Sequence, residues 1–317
     1  MQKTLLSKKD MLSFNRDTIL ICLALSVTGV YLNGINALYQ IAVSVVSAMI
    51  CESLSFRLIL KKKTLSDLGA ASTGFVIALL LPSSAPLYVA AAASAFAVLI
   101  AKLPFGDGRN APFLPSAAGF CFAAMLFPEE VFTYPALTET ASGFFFGQDG
   151  FIKGTTVLEM LKSGNSIPFN VFGISKLLSG RVPGAIGTVS ILCLSGVAGY
   201  LLIRAPKRLI CSFGFLLSAG LIAFIFPRIN SGRLNSVVME LCASSLIFVS
   251  LVMINNPVNC PHKPFKAFLY GGLGGIVAML LRYFSAIGDP TVFTVLIMNA
   301  LWVCNFKAEK KDGEPNG

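Results

Sequence analysis

Four carboxylates stand inside or at the ends of apolar runs: Glu52, Asp67, Glu240 and Asp289. An ionisable group in such surroundings is costly to keep, so each is a candidate for ion movement or for a buried hydrogen-bonded role. Glu240, in VVMELCASS, lies deepest, and both roles stay open for it. Asp67 and Asp289 fall at run ends, where a carboxylate at a helix N-terminus caps backbone N–H groups. A second pattern is Lys153-Gly154-Thr155-Thr156-Val157-Leu158, in which Glu159 follows Thr156 by three residues. Threonine and glutamate at that spacing spell a helix N-cap with its reciprocal acid. Other chemistry finds no support. The eight cysteines include no C-x-x-C and His262 is the one histidine, which argues against a metal site, zinc or local iron–sulfur. Neither a phosphate-binding glycine loop nor a GxSxG elbow occurs.

A hydrophobic frame must position these residues. Of 317 residues, 55% are hydrophobic and only 13% charged, about half the charge of a soluble domain. With roughly 20 apolar residues per crossing, the chain reads as an all-α, polytopic integral membrane protein of about ten transmembrane helices. Apolar runs and Gly/Pro punctuation place the spans at 18–33, 35–55, 68–82, 87–103, 113–127, 183–203, 208–226, 234–254, 266–281 and 290–305. The division that follows is a cytoplasmic segment 1–17, a first five-helix half 18–127, an external loop 128–182, a second half 183–305 and a cytoplasmic tail 306–317. The first run leads into the second without a cleavage-site pattern, so it is expected to be retained.

With both termini inside, 18 of the 25 basic residues fall on the cytoplasmic side. That asymmetry fits the positive-inside rule and assigns the basic tracts to loops, not to a nucleic-acid surface. Residues 68–82 and 113–127 would each reach only about 22 Å, against a hydrocarbon core of roughly 30 Å. Both abut Pro/Gly clusters, and both are expected to be short, broken helices. Pro82, Lys102 and the following turn are echoed by Pro257, Arg282 and Gly288-Asp289-Pro290. The offset between the echoes is five helices, so the second copy would be inverted, with a site near the midplane where the halves meet.

Several short motifs fall in a definite order: Ser66-Asp67, Thr73-Gly74 before ALLLP (78–82), FGDGRNAPFLPSA (105–117), FPEEVFTYP (127–135), GTTVL (154–158), Gly184-Ala185-Ile186-Gly187, Asn256-Pro257-Val258 and RYF…GDPTVFTVLIMNA (282–300). In this order the chain resembles the RnfD/NqrB family, the flavin-binding membrane subunit of Rnf-type ion-translocating electron transport complexes. The resemblance implies an FMN joined through its phosphate to the hydroxyl of Thr156, with Gly154, Thr155 and Lys153 completing the attachment motif. Lys153 or Lys162 would offset the phosphate charge, and Phe144, Phe145, Phe146 and Phe151 would pack the ring.

The chain departs from the family pattern at several places. Lys153 replaces a small hydroxyl residue and Thr155 an alanine. In the turn from Asn110, Leu114 stands where a second asparagine is usual. The quinone-reducing branch holds a non-covalent riboflavin by that turn, so Asn110 marks the region for a second flavin whose presence Leu114 leaves open. Thr188 and Asn256 stand where relatives carry carboxylates. The implied function is an electron relay within a complex that moves Na⁺ or H⁺ across a bacterial or archaeal plasma membrane. Its partners would be a second covalent-FMN subunit and iron–sulfur subunits, with no activity expected of the isolated chain. The rival reading is a secondary transporter or channel with a midplane solute site and no flavin.

Overall fold

The computed structural model describes residues 8–57, 68–105, 111–136, 152–165, 171–229, 232–261 and 263–311. Among these the regular elements are all helices, with one isolated antiparallel bridge between Pro135 and Lys153. The helices are α1 (Lys8–Asn33), α2 (Ile35–Ser55), α3 (Gly69–Leu80), α4 (Leu87–Phe96), α5 (Pro115–Leu126), α6 (Pro128–Phe132), α7 (Val157–Lys162), α8 (Val171–Ser179), α9 (Ile191–Arg204), α10 (Pro206–Ile225), α11 (Arg233–Cys242), α12 (Leu246–Phe248), α13 (Pro264–Phe284) and α14 (Thr291–Lys311). α4 runs on through a π-helical stretch, Ala97–Lys102, and α12 through another, Val249–Met253.

Among the described residues, five helices are long and apolar enough to cross a bilayer: most of α1, α2, α4 with its extension, α10 and α13. The pair α11 and α12, bent by 67°, makes a sixth. The shorter apolar helices α3, α5, α9 and the first part of α14 account for the other runs. The molecule is therefore an all-helical, multi-pass membrane protein with a large exposed apolar belt, Val27, Ile203 and Phe213 among its members.

The two halves repeat one order of partners. α2 packs on α3 and α4, and α4 on α5; α10 packs on α11 and α13, and α13 on α14. The fourth helices end at opposite ends of the molecule. Lys102, closing the α4 extension, lies beside Asn15 in the first turns of α1 and Gly69 at the start of α3. α13 leads instead to Gly288, which sits against the Phe132 ring. The residue after Phe132 accepts a hydrogen bond from Ser84, just before α4 begins. This is the arrangement an inverted duplication requires. α10 and α13 approach most closely at Gly271, where a Cβ would strike the Cys211 carbonyl, so only glycine lets these backbones meet.

Two spans differ from the sequence reading. The stretch 183–190 is apolar but not helical, and α9 begins only at Ile191, capped by Ser190. The reason lies in α3. Its twelve residues stop short, and its last carbonyls need donors. The N–H groups of Ile186 and Gly187 donate to the Leu81 and Leu79 carbonyls (3.1 and 2.8 Å). Gly187 leaves no room for a side chain, since a Cβ would meet Leu79 at 2.7 Å. The span read as 234–254 is broken at Ala243–Ser245, where Ser244 takes a left-handed φ of 57°.

Candidate functional site

The segment 152–165 is held on the end of the bundle formed by the close of α1, α3, α10 and α13. Ala136 N–H donates to the Ile152 carbonyl and Gly154 N–H to the Tyr134 carbonyl, each at 2.8 Å. Gly154 is buried, and a Cβ there would meet Pro183 at 2.5 Å. The chain then enters α7, whose Val157, Leu158 and Leu161 pack with Leu177, Val189 and Met239. Lys162 ties the far end of α7 down, its Nζ donating to the Ile287 and Ser285 carbonyls (2.7 and 3.4 Å).

Thr156 is the N-cap. Its Oγ1 accepts from Glu159 N–H (3.1 Å), while Glu159 Oε2 accepts from Thr156 N–H (2.8 Å) and from the Thr156 hydroxyl (3.2 Å). Both halves of the capping box are formed. Of the paired threonines, Thr155 is exposed and Thr156 is buried, at 7%. Lys153 is exposed beside Pro135.

Beneath this segment lies a network of charges. Arg282, fully buried, donates to the Glu240 and Ala243 carbonyls (2.9 and 2.6 Å), the carbonyls that the break after α11 releases. Its Nη1 also lies 3.5 Å from Glu240 Oε2, and Arg228 Nε lies 3.5 Å from Oε1. Arg228 donates to the Arg282 carbonyl (2.6 Å) and stacks 3.9 Å above the Tyr283 ring. Asp289 closes the network by accepting from the hydroxyls of Ser244 and Ser245 (both 2.5 Å), from Ser245 N–H (3.2 Å) and from Thr291 N–H and hydroxyl (3.1 and 2.6 Å).

Burial alone would push the Asp289 carboxyl up, but Arg282 and the three hydroxyls outweigh it and hold the group below the usual carboxylate range. Burial, and then the Arg228 charge, pulls the Lys162 ammonium below the ordinary lysine range. Burial, with Asp289 and Glu159 beyond it, pushes the Tyr134 phenol up.

The structure thus brings Thr156, Glu240 and Asp289 to one end of the molecule. Glu52 lies at the other, ion-paired with buried Lys102. Beside that pair is a cavity lined by Asn15, Ser72, Thr73, Lys102, Ser116 and Asn256. Asp67, Asn110 and the four phenylalanines 144–146 and 151 lie outside the described residues. Leu114 and Pro115, which follow Asn110 in the same turn, do line the cavity. The Leu114 N–H is held by the Asn299 amide oxygen (2.9 Å) in the orientation its neighbours dictate.

Sequence reasoning missed Arg228, Arg282 and the Ser244–Ser245 pair as parts of one site. Treated as loop charges, the two arginines lose their meaning. The available signal was their placement, each ending a long apolar run on either side of Glu240.

The sequence model of the NQR2, RnfD, RnfE family matches residues 4–304. The chain belongs to that family. Among relatives named as the D component of an ion-translocating oxidoreductase complex, the protein of Cronobacter sakazakii is 25% identical over 297 residues, covering 85% of each chain. That of Pectobacterium atrosepticum is 25% identical over 309 residues, covering 89% of this chain and 88% of its own. That of Stutzerimonas stutzeri is 27% identical over 315 residues, covering 91% and 88%. Family and fold agree on a multi-pass membrane protein related to subunits of electron- and ion-transporting complexes.

Proposed function

We propose that this chain is the RnfD-type component of an ion-translocating oxidoreductase complex and carries an FMN as a phosphoester on Thr156. The observation that carries the reading is the construction around one hydroxyl. A short segment with little freedom is pinned at Gly154, Leu158 and Lys162 to an end of the bundle already rich in cations. The residues fit a phosphodiester. Lys162 and Arg228 are close enough to influence one another, and Arg228 Nη1 is buried without a hydrogen-bond partner among the described residues. A phosphate oxygen is an acceptor for such a group. Bound there, the flavin would supply reversible electron transfer; the protein's part is to fix its place and surroundings. Gly154 and Pro183 set the height of the segment, α7 its direction, and Lys162 and Arg228 offset the added negative charge.

In the complex, electrons would pass between this site and the cofactors of partner subunits, among them a second covalent-FMN subunit and iron–sulfur subunits, with movement of Na⁺ or H⁺. Thr156 would face outward from the plasma membrane, with both chain ends cytoplasmic. The bent helix α11–α12 runs from the Arg282 end to the cavity beside Lys102.

The decisive experiment is in-gel flavin fluorescence of the denatured chain from its native membrane, with mass spectrometry of the 152–165 peptide. Fluorescence is expected in wild type and in Thr156→Ser, which keeps cap and hydroxyl, and is lost in Thr156→Val. Fluorescence lost instead in Thr155→Val would move the attachment to the exposed hydroxyl. A dark wild-type band would favour a transporter without flavin.

A further inference from the structure

Glu159 has a place in the geometry that capping alone does not use. A cap needs the threonine oxygen as acceptor for Glu159 N–H and the carboxylate as acceptor for Thr156 N–H, and both bonds are present. The same carboxylate oxygen also receives the Thr156 hydroxyl proton at 3.2 Å. The side chain that would be esterified thus arrives with a base on its proton and its position fixed by two backbone bonds.

We infer that Glu159 is the general base for its own chain's modification, a catalytic residue supplied by the acceptor protein and not by the enzyme that loads it. This rests on Thr156 being the attachment residue. In the step, Thr156 Oγ1 attacks the flavin-side phosphorus of a flavin phosphoanhydride presented by a transferase. The Oγ1–P bond forms as the bridging P–O bond breaks, the second phosphate leaves as a nucleotide monophosphate, and the hydroxyl proton passes to Glu159 Oε2 and then to water. No electrons are exchanged. The product oxygen has no proton to donate, so Glu159 keeps only the Thr156 N–H.

The test is the rate at which flavin fluorescence appears on the chain in membranes supplied with a flavin transferase and a flavin dinucleotide. Glu159→Gln retains the capping acceptor but is a far weaker base. Its labelling rate is expected to fall about 10²-fold or more, with hydrogen-exchange protection over 157–162 like that of wild type. Glu159→Ala should be equally slow and regain rate on addition of formate, which a purely structural role would not allow. Glu159→Gln labelled at the wild-type rate, or Glu159→Ala slow with no response to formate, overturns the inference while leaving Thr156 as the site. A wild-type chain never labelled at Thr156 overturns both.

Discussion

Each half of the molecule ends its fourth helix on a buried cation, and the two surroundings could hardly differ more. Lys102 pairs with the Glu52 carboxylate and borders a cavity lined by amides and hydroxyls. Arg282 is enclosed by Glu240, two released carbonyls and, beyond them, an aspartate with five donors. A cation at a helix C-terminus is favourable in both places because it faces the negative end of the helix dipole. What is built around it then diverges. One end borders a cavity, and at the other the charges are bonded to carbonyls and hydroxyls beneath the Thr156 segment. Each half carries a buried cation at the same place, and the neighbours decide what it serves.

Removing the two cations tests that contrast most directly. Arg282→Met takes one of the two arginines from Glu240 and leaves the α11 break without its side-chain donors. The expected cost is about 3–5 kcal/mol, the range for breaking a buried ion pair, seen as loss of folded protein in detergent. Lys102→Met should cost less, about 2 kcal/mol, because the adjoining cavity can admit water to Glu52. Adding Glu52→Gln should recover most of that. Equal losses for the two cations would erase the distinction drawn here.

Asp289→Asn comes next, at about 2 kcal/mol, and carries a pH signature. Asp289 is held below its unfolded value, so its contribution is fully present above that value, near pH 4, and is lost as pH falls through the depressed folded value. Thermal melts of wild type and variant should differ by a constant gap from about pH 7 to 5 and converge in stronger acid. Gly187→Ala, which forces Leu79 aside, is expected to cost about 1–2 kcal/mol. Lys162→Ala should have the smallest effect, about 0.5–1 kcal/mol, read as faster hydrogen exchange in α7 with little change in global stability.

The ten apolar elements were legible because lipid demands long, uncharged runs, and those runs stand out in the sequence at 18–33, 35–55 and onward. The truncation of α3 and α5 was legible too, since Pro82 and Pro115 bound them. The non-helical stretch 183–190 was not. Its composition is that of a span, and only the three-dimensional need of α3 for donors shows that Ile186 and Gly187 spend their N–H groups there. At the candidate site, Thr156 and Glu159 could be paired from spacing because a capping box is local. Arg228, Glu240, Arg282 and Asp289 come together from four separate places in the chain, and no periodicity encodes that meeting. Counting Lys102 and Arg282 as loop charges was physically wrong, as both are buried; one falls on each side, so the charge asymmetry survives.

The way α3 is finished bears on how the protein is made. Its terminal carbonyls stay without these donors until a stretch about a hundred residues further along has left the ribosome. A helix of twelve residues spans about 18 Å and cannot settle in lipid alone. During synthesis it must wait, sheltered by the insertion machinery or against α1 and α2, until the later half arrives to close it. Assembly of this subunit is therefore a handshake between early and late chain, and a nascent protein cut before residue 186 is expected to leave its third segment unburied.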